Sequence, residues 1–350
     1  MSSKIKVAIL GATGAVGQRF VQLLENHPWF EVCALSGSER SVGQKYGQAC
    51  RWVLCGSIPA YAREMLIVPS GPGFEAKIAF SALPSDQAAE IEPELARAGY
   101  AVCSNASSQR MREDVPILIP EVNPDHTGLI PIQRKKRAWG GLIVTNPNCT
   151  SSGLTIAFRA LHVAFSIRRA FIVSMQALSG AGYPGVASLD MLDNVIPYIG
   201  GEEEKVETEP LKMLGQFNGQ RIDFAPIKLS AHTNRVAVSD GHLVLTSVEF
   251  NQEVTPQQAS EALTAFCAPP IVAGLPSAPK PVIVLRTEAD RPQPRRDRDE
   301  GGGMACVVGR VRADPLFHIK FVNLSHNTIR GAAGGAILNA ELLVAQGFVG

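Results

Sequence analysis

Cys149 stands apart from the six other cysteines by its setting. It lies in Asn146-Pro147-Asn148-Cys149-Thr150-Ser151, where a strand-like run, Leu142–Thr145, gives way to a helix expected from Thr150. Helix N-terminal N–H groups and the positive dipole end favour a thiolate, so this placement predicts a nucleophile with a depressed thiol pKa. Cys103 and Cys306 fall inside apolar runs and read as packed core thiols. Arg235 and His242 flank Ser239-Asp240-Gly241. If Asp240-Gly241 is a two-residue hairpin turn, residues 239 and 242 pair, as do 235 and 246, and Arg235 and His242 share one face of a sheet. A longer loop breaks that inference, and an isolated histidine is more often a packed or surface residue. The run QALSGAGYPG at 176–185 ends another strand in a Gly-rich loop, open equally to a surface turn and to a loop offering the Gln176 amide and backbone N–H groups to a ligand. Glu209-Pro210-Leu211-Lys212 sets a carboxylate and an ammonium three residues apart on one helix face, with a solvated ion pair as the plain alternative. Arg110 follows the strand that ends near Cys103, and strand C-termini are where ligands collect in open α/β sheets.

A second kind of chemistry is written at the N-terminus. GATGAVG at 11–17 follows a strand over Lys4–Leu10 and opens a helix over Ala15–Glu25. Gly11 permits the tight turn, Gly14 lets the backbone approach a pyrophosphate, and Gly17 allows close helix–strand packing. Past the second strand come Ser36, Ser38, Arg40 and Ser41 rather than an acidic residue. Hydroxyls and an arginine suit a ribose 2′-phosphate, so NADP is the expected dinucleotide, with Glu39 as the one conflicting charge.

These groups need elements to hold them. The first 150 residues alternate apolar runs and amphipathic stretches: strands at Glu31–Leu35, Lys77–Leu83, Tyr100–Ser104 and Leu142–Thr145, with a helix over Asp86–Arg97. After Thr150 a helix with Leu154, Ala157, Phe158, Leu161 and Phe165 on one face leads to strands at Ala170–Leu178, Val236–Val238, Leu243–Phe250, Val282–Leu285 and Met304–Arg312. Residues 291–303 (RPQPRRDRDEGGG) read as a solvated connection, and Ile329–Phe348 as a return helix. The expected class is α/β: a Rossmann-type dinucleotide-binding domain (1–148 and 331–350) plus an α+β catalytic and dimerisation domain with a mixed sheet (149–330).

At 350 residues with 45% hydrophobic side chains, the chain suits two packed domains. Its 33 basic and 32 acidic residues leave a formal charge of +1, which argues against nucleic-acid or anionic-membrane binding driven by bulk charge. No apolar run approaches the ~20 residues of a membrane span. Seven cysteines without regular spacing predict neither a disulfide scaffold nor a metal site, and a reducing cytoplasm is the expected location.

In order and spacing, GATGAVG, SNASSQR at 104–110, NPNCTS at 146–151, QALSGAGYPG, EPLK at 209–212, the Arg235/His242 pair and NTIRGAAGG at 327–335 resemble the aspartate-β-semialdehyde dehydrogenases, in their archaeal and fungal branch. The resemblance covers nearly the whole chain. It implies NADPH-dependent reductive dephosphorylation of L-aspartyl-β-phosphate through a cysteine thioester, in a homodimer or homotetramer. Carried over, Cys149 is the nucleophile, His242 the acid–base residue and Gln176 the orienting amide; Arg235 holds the substrate carboxylate. Arg110, Lys212, Glu209 and Asn148 fall at substrate and phosphate positions. Gly11, Thr13, Gly14, Ala15, Val16, Gly17, Ser36, Ser38, Arg40, Ser41, Ser81, Ser179, Gly180 and Asn327 fall at the cofactor. Malonyl-CoA reductase and N-acetylglutamyl-phosphate reductase are chemically similar alternatives; QALSGAGYPG and EPLK argue against the latter. A catalytically silent NADP-binding protein on the same fold should lack one of Cys149, Gln176, Arg235 and His242, and all four are present.

Overall fold

The computed structural model describes residues 4–350. Six short strands rich in buried Val, Ile, Ala and Leu build the first sheet: β1 (Ile5–Leu10), β2 (Phe30–Gly37), β3 (Ile67–Pro69), β4 (Ile78–Ser81), β5 (Ala101–Ser104) and β6 (Leu142–Thr145). All pair in parallel in the order β3-β2-β1-β4-β5-β6, the doubly wound arrangement that leaves a ligand crevice at the carboxyl ends of β1 and β4. The last helix, Gly334–Ala345, returns to this sheet, and its Ala336, Ile337, Ala340 and Leu343 join Val7, Ile9, Phe20 and Phe80 in one core.

Beyond β6 the helix Cys149–Phe165 lies against a mixed sheet. That sheet contains β7 (Ile167–Gln176), β10 (Lys228–Arg235), β11 (His242–Phe250), β12 (Ile283–Arg286), β13 (Cys306–Ala313) and β14 (Ile319–Ser325), in the order β10-β7-β11-β14-β13-β12; a two-stranded ribbon of β8 (Gln216–Phe217) and β9 (Ile222–Asp223) stands apart. Leu154, Ala157, Phe158 and Leu161 of the helix pack on Ile172, Val244, Val248 and Phe321 of the sheet. Each of these Leu, Ile, Val and Phe side chains, fully withdrawn from water, contributes roughly 1.5–3 kcal/mol. The sheet's other face stays open, with Phe171 and Met175 more than one-third exposed.

Three expectations are corrected here. The strand placed at Val236–Val238 is instead β10, and those residues form an irregular segment after it. Ala231, Thr233 and Arg235 are the inward positions of β10, and two polar side chains among them hide the period-two pattern. The hairpin through Asp240-Gly241 does not exist, because β7 lies between β10 and β11. Arg235 pairs with Gln176 across the parallel β10–β7 ladder, and Leu243 with Met175 across the antiparallel one, so Arg235 and His242 still arrive on one face, through β7. Nor is 291–303 a loose solvated connection. Asp297, fully buried, accepts from Arg286 Nε at 3.0 Å, Arg291 Nε at 2.6 Å and the Gln293 N–H at 2.6 Å, which ties the segment into a knot.

Candidate active site

The Gly-rich turn shapes one wall of the main cleft. Gly11 holds a positive φ of 69°, and a side chain at Gly17 would collide with the Gly11 carbonyl. The helix Ala15–Leu23 then begins with no side-chain cap and no acidic residue in its first turn, so its N–H groups remain open to an anion. Thr13, Gly14, Ala15 and Val16 line a cleft of about 810 Å³ that also reaches Cys149. Gln18, unremarked in the sequence reading, is buried and braces this wall by donating to the carbonyls of Thr13 and Arg51 at 2.9 and 3.0 Å. At the end of β2, Ser36 and Ser41 are buried with their hydroxyls against Ser70 Oγ and the Ser38 carbonyl; Ser38 and Arg40 stay on the surface. Of the four residues expected at a 2′-phosphate, Ser38 and Arg40 are the two exposed at this strand end. Ser81 is buried at the end of β4, and its hydroxyl has no hydrogen-bond partner among the described residues.

Asn148 caps the helix that begins at Cys149. Its Oδ1 accepts from the Thr150 and Ser151 N–H groups at 2.9 and 3.3 Å, and its Nδ2 donates to Glu202 Oε2 at 2.8 Å. The Cys149 thiol lies 3.1 Å from His242 Nε2, and the opposite ring nitrogen, Nδ1, accepts the Ala177 N–H at 3.1 Å. A neutral imidazole that accepts at Nδ1 carries its proton on Nε2, so the ring donates toward the sulfur. Burial, reinforced by the Arg235 and His326 charges, pushes the His242 pKa down to about 3.

The expected depression of the Cys149 pKa is not what this environment produces. Burial, with Glu202 adding to it, pushes the thiol up to about 12, against the opposing pull of Arg110, Arg235 and the Thr150 N–H. Desolvation of a full charge outweighs a helix terminus worth about 0.3–1 kcal/mol. Alkylation of the ligand-free protein by iodoacetamide is therefore expected to keep accelerating above pH ~8.5, the ordinary thiol value. A rate that levels off near pH 7 instead shows a thiolate already present.

Arg235 is buried, donates from Nη1 to the Ala177 carbonyl at 2.7 Å, and still lines the cleft. Gly180 makes this possible: a Cβ there would stand 2.8 Å from Arg235 Nη1 and 3.1 Å from His242 Cε1. Gln176 is buried beside Ser174 Oγ and Glu202 Oε2, each 3.3 Å from its Nε2. Asn327 accepts the Gly241 N–H at 2.8 Å and donates to Ser179 Oγ at 2.8 Å, joining the Gly-rich loop to the turn that delivers His242.

Lys212 is the clearest correction. It does not face the cleft: its ammonium donates to the carbonyls of Arg110, Arg112 and Val115, each at 2.7 Å. Glu209 is likewise committed, to Arg110 Nη1 at 3.0 Å and to the Asn148 N–H at 2.5 Å. The cleft is lined instead by Glu202 and Lys205, about two turns nearer the start of the same helix, Glu202–Met213, and paired at 2.9 Å. Glu202-Glu203-Glu204-Lys205 has the same three-residue carboxylate–ammonium spacing as EPLK, and that spacing was the available signal. Arg110 lines the cleft as expected.

Two family models match the chain: "Semialdehyde dehydrogenase, NAD binding domain" over residues 6–130 and "Semialdehyde dehydrogenase, dimerisation domain" over 158–330. Aspartate-semialdehyde dehydrogenase of Archaeoglobus fulgidus is 53% identical over 344 residues, covering 98% of this chain and 99% of the relative. The Saccharomyces cerevisiae enzyme of the same name is 41% identical over 367 residues, with 100% of each chain covered. The crystal structure of aspartate semialdehyde dehydrogenase with NADP from Candida albicans superposes with a TM-score of 0.90 at 39% identity, covering 98% of this chain and 99% of that one. With a parallel sheet ending in a glycine turn, a mixed sheet presenting a histidine to a cysteine, and relatives of this identity along nearly its full length, the chain belongs to the aspartate-semialdehyde dehydrogenase family.

Proposed function

We propose that this chain reduces L-aspartyl-β-phosphate to L-aspartate-β-semialdehyde with NADPH, serving biosynthesis of the aspartate-derived amino acids, and that Cys149 carries the acyl group. The carrying observation is the 3.1 Å contact of Cys149 Sγ with His242 Nε2 in a cleft shared with the open helix N-terminus at Gly14. That uncapped terminus fits a dinucleotide pyrophosphate, with Thr13 to Val16 beneath it and Ser179, Gly180 and Asn327 opposite. Ser38 and Arg40, exposed past β2, are the groups we assign to the 2′-phosphate.

In this reading the Cys149 sulfur bonds to the acyl carbon as the carbon–oxygen bond to phosphate breaks, and phosphate departs with that electron pair and with the proton the thiol gives up, so that hydrogen phosphate is released. Bound NADPH supplies the hydride that converts the resulting thioester to the aldehyde level. His242, held neutral as an Nε2–H donor, hydrogen-bonds the oxygen anion of each tetrahedral species and the Cys149 thiolate as it is released, and one such donor to an oxyanion is typically worth about 10²–10³-fold. Arg235 takes the substrate α-carboxylate, for which a planar fork is suited. Glu202 takes the α-ammonium, and that pairing removes the carboxylate's repulsion of a Cys149 thiolate. Arg110 and Lys205 face the phosphate, Lys205 replacing Lys212 in that role.

The open apolar face of the mixed sheet, with Phe171 and Met175, is where we place association with a second copy, in accord with the dimerisation-domain match. A cysteine nucleophile needs a reducing compartment, so a cytoplasmic location is part of the proposal.

The test is NADP reduction with aspartate semialdehyde, which should depend on added phosphate or arsenate, set beside malonyl-CoA with NADPH. Phosphate-independent reduction, or faster turnover of malonyl-CoA, overturns the assignment.

A further inference from the structure

Glu209 and Lys212 are nearly sealed from water, at 2% exposure each, yet neither touches the cleft. Every hydrogen of the Lys212 ammonium is spent on a backbone carbonyl of one short segment, at Arg110, Arg112 and Val115. Both carboxylate oxygens of Glu209 are engaged as well, one by Arg110 and the other by the backbone N–H of Asn148, the residue that caps the helix starting at Cys149. Arg110 gains a third anchor when its Nη2 donates to the Asn105 carbonyl at 2.7 Å. Such groups cost several kcal/mol to bury unless the bonds they make are satisfied; for Glu209 and Lys212 they are, while Arg110 Nε is buried without a partner among the described residues.

We propose that Glu209 and Lys212 are positioning residues: they form a buried bracket that fixes the Arg110 guanidinium relative to Cys149, so that anion site and nucleophile are set as one unit. The proposal rests on the reading above that Arg110 meets the phosphate. Lys212 holds the backbone from which Arg110 projects, and Glu209 spans the gap between Arg110 and the nucleophile's helix. A loosened bracket lets the guanidinium drift from the acyl phosphate while the dinucleotide wall, which follows β1 in the middle of the parallel sheet and shares none of these bonds, stays in place. Burial holds the Lys212 pKa down near 8, in keeping with an ammonium surrounded by neutral carbonyls.

The experiment measures phosphate KM, semialdehyde KM and NADP Kd for Lys212→Met, Arg110→Ala and the double variant. Phosphate KM should rise about tenfold or more in Lys212→Met while the other two constants stay within about threefold, and the double variant should be no worse than Arg110→Ala alone. An additive double variant means that Lys212 meets the anion itself and overturns the proposal, as does an unchanged phosphate KM in Lys212→Met. An unchanged phosphate KM in Arg110→Ala brings down the underlying reading of Arg110 instead, and the bracket with it. If Lys212→Met does not fold, Glu209→Gln decides by the same constants: its amide keeps the shape but cannot accept from the Asn148 N–H and Arg110 together.

Discussion

Cys149→Ser is expected to abolish turnover, by roughly 10⁴-fold or more, with NADPH affinity within about threefold of the parent. An alcohol in this setting has no route to the anion. The environment already pushes a thiol up to about 12, and a hydroxyl begins several units higher. The dinucleotide wall is spared, since it is built from Gly11, Gly14 and Gly17 and braced by Gln18. Steady-state rates and a fluorescence titration of NADPH on the same preparation provide the check. Mass spectrometry of protein quenched with aspartyl phosphate should find an acyl adduct on the parent enzyme and none on the variant. Activity near the parent level removes the covalent route and leaves hydride transfer to an unattached substrate.

The parts of this site that were legible in the sequence obey local rules. A glycine turn between a strand and a helix has one structural meaning, and a cysteine after Asn-Pro-Asn marks a helix start, so the Gly11–Gly17 wall and Cys149 could be placed without a fold. What could not be read depends on which strands become neighbours. Arg235 and His242 share a face because β7 inserts between their strands, a fact that no local spacing encodes. The two carboxylate–lysine pairs at 202–205 and 209–212 show the same limit. They lie about two helical turns apart with the same internal spacing, and only packing decides that the first opens on the cleft and the second is buried. The Cys149 pKa went the other way for a related reason: a helix terminus is visible in sequence, whereas the depth of burial that outweighs it is tertiary. Strand β14 went unread because Asn323 and Ser325, both buried, interrupt its apolar run.

Gly331→Ala is the second large effect, from a residue that performs no chemistry. The chain at Ile329–Ala333 forms a π-turn, a rarity that concentrates at functional sites, and it lays Gly331 directly on the nucleophile. A methyl group there would stand 2.7 Å from Cys149 Cβ, 2.9 Å from its Cα and 3.1 Å from its carbonyl oxygen. Carbon atoms in contact sit at about 3.5–4.0 Å, so one side must give way. The π-turn is poorly placed to do so. Arg330 holds it through a bidentate, buried pair with Glu121 at 2.7 Å in both bonds, and Asn146 Nδ2 donates to the Ala332 carbonyl at 2.6 Å. The displacement therefore falls on Cys149, and the contact with His242 lengthens from its 3.1 Å. A shift of about 1 Å at a reacting group can cost roughly 10²-fold, and kcat should fall by that order while overpacking removes about 1–3 kcal/mol of stability. Rate measurement and thermal melting of the purified variant settle it together. A kcat within about threefold of the parent, in a protein whose melting point has dropped, means that the π-turn yields rather than the cysteine, and that Gly331 is needed for packing alone.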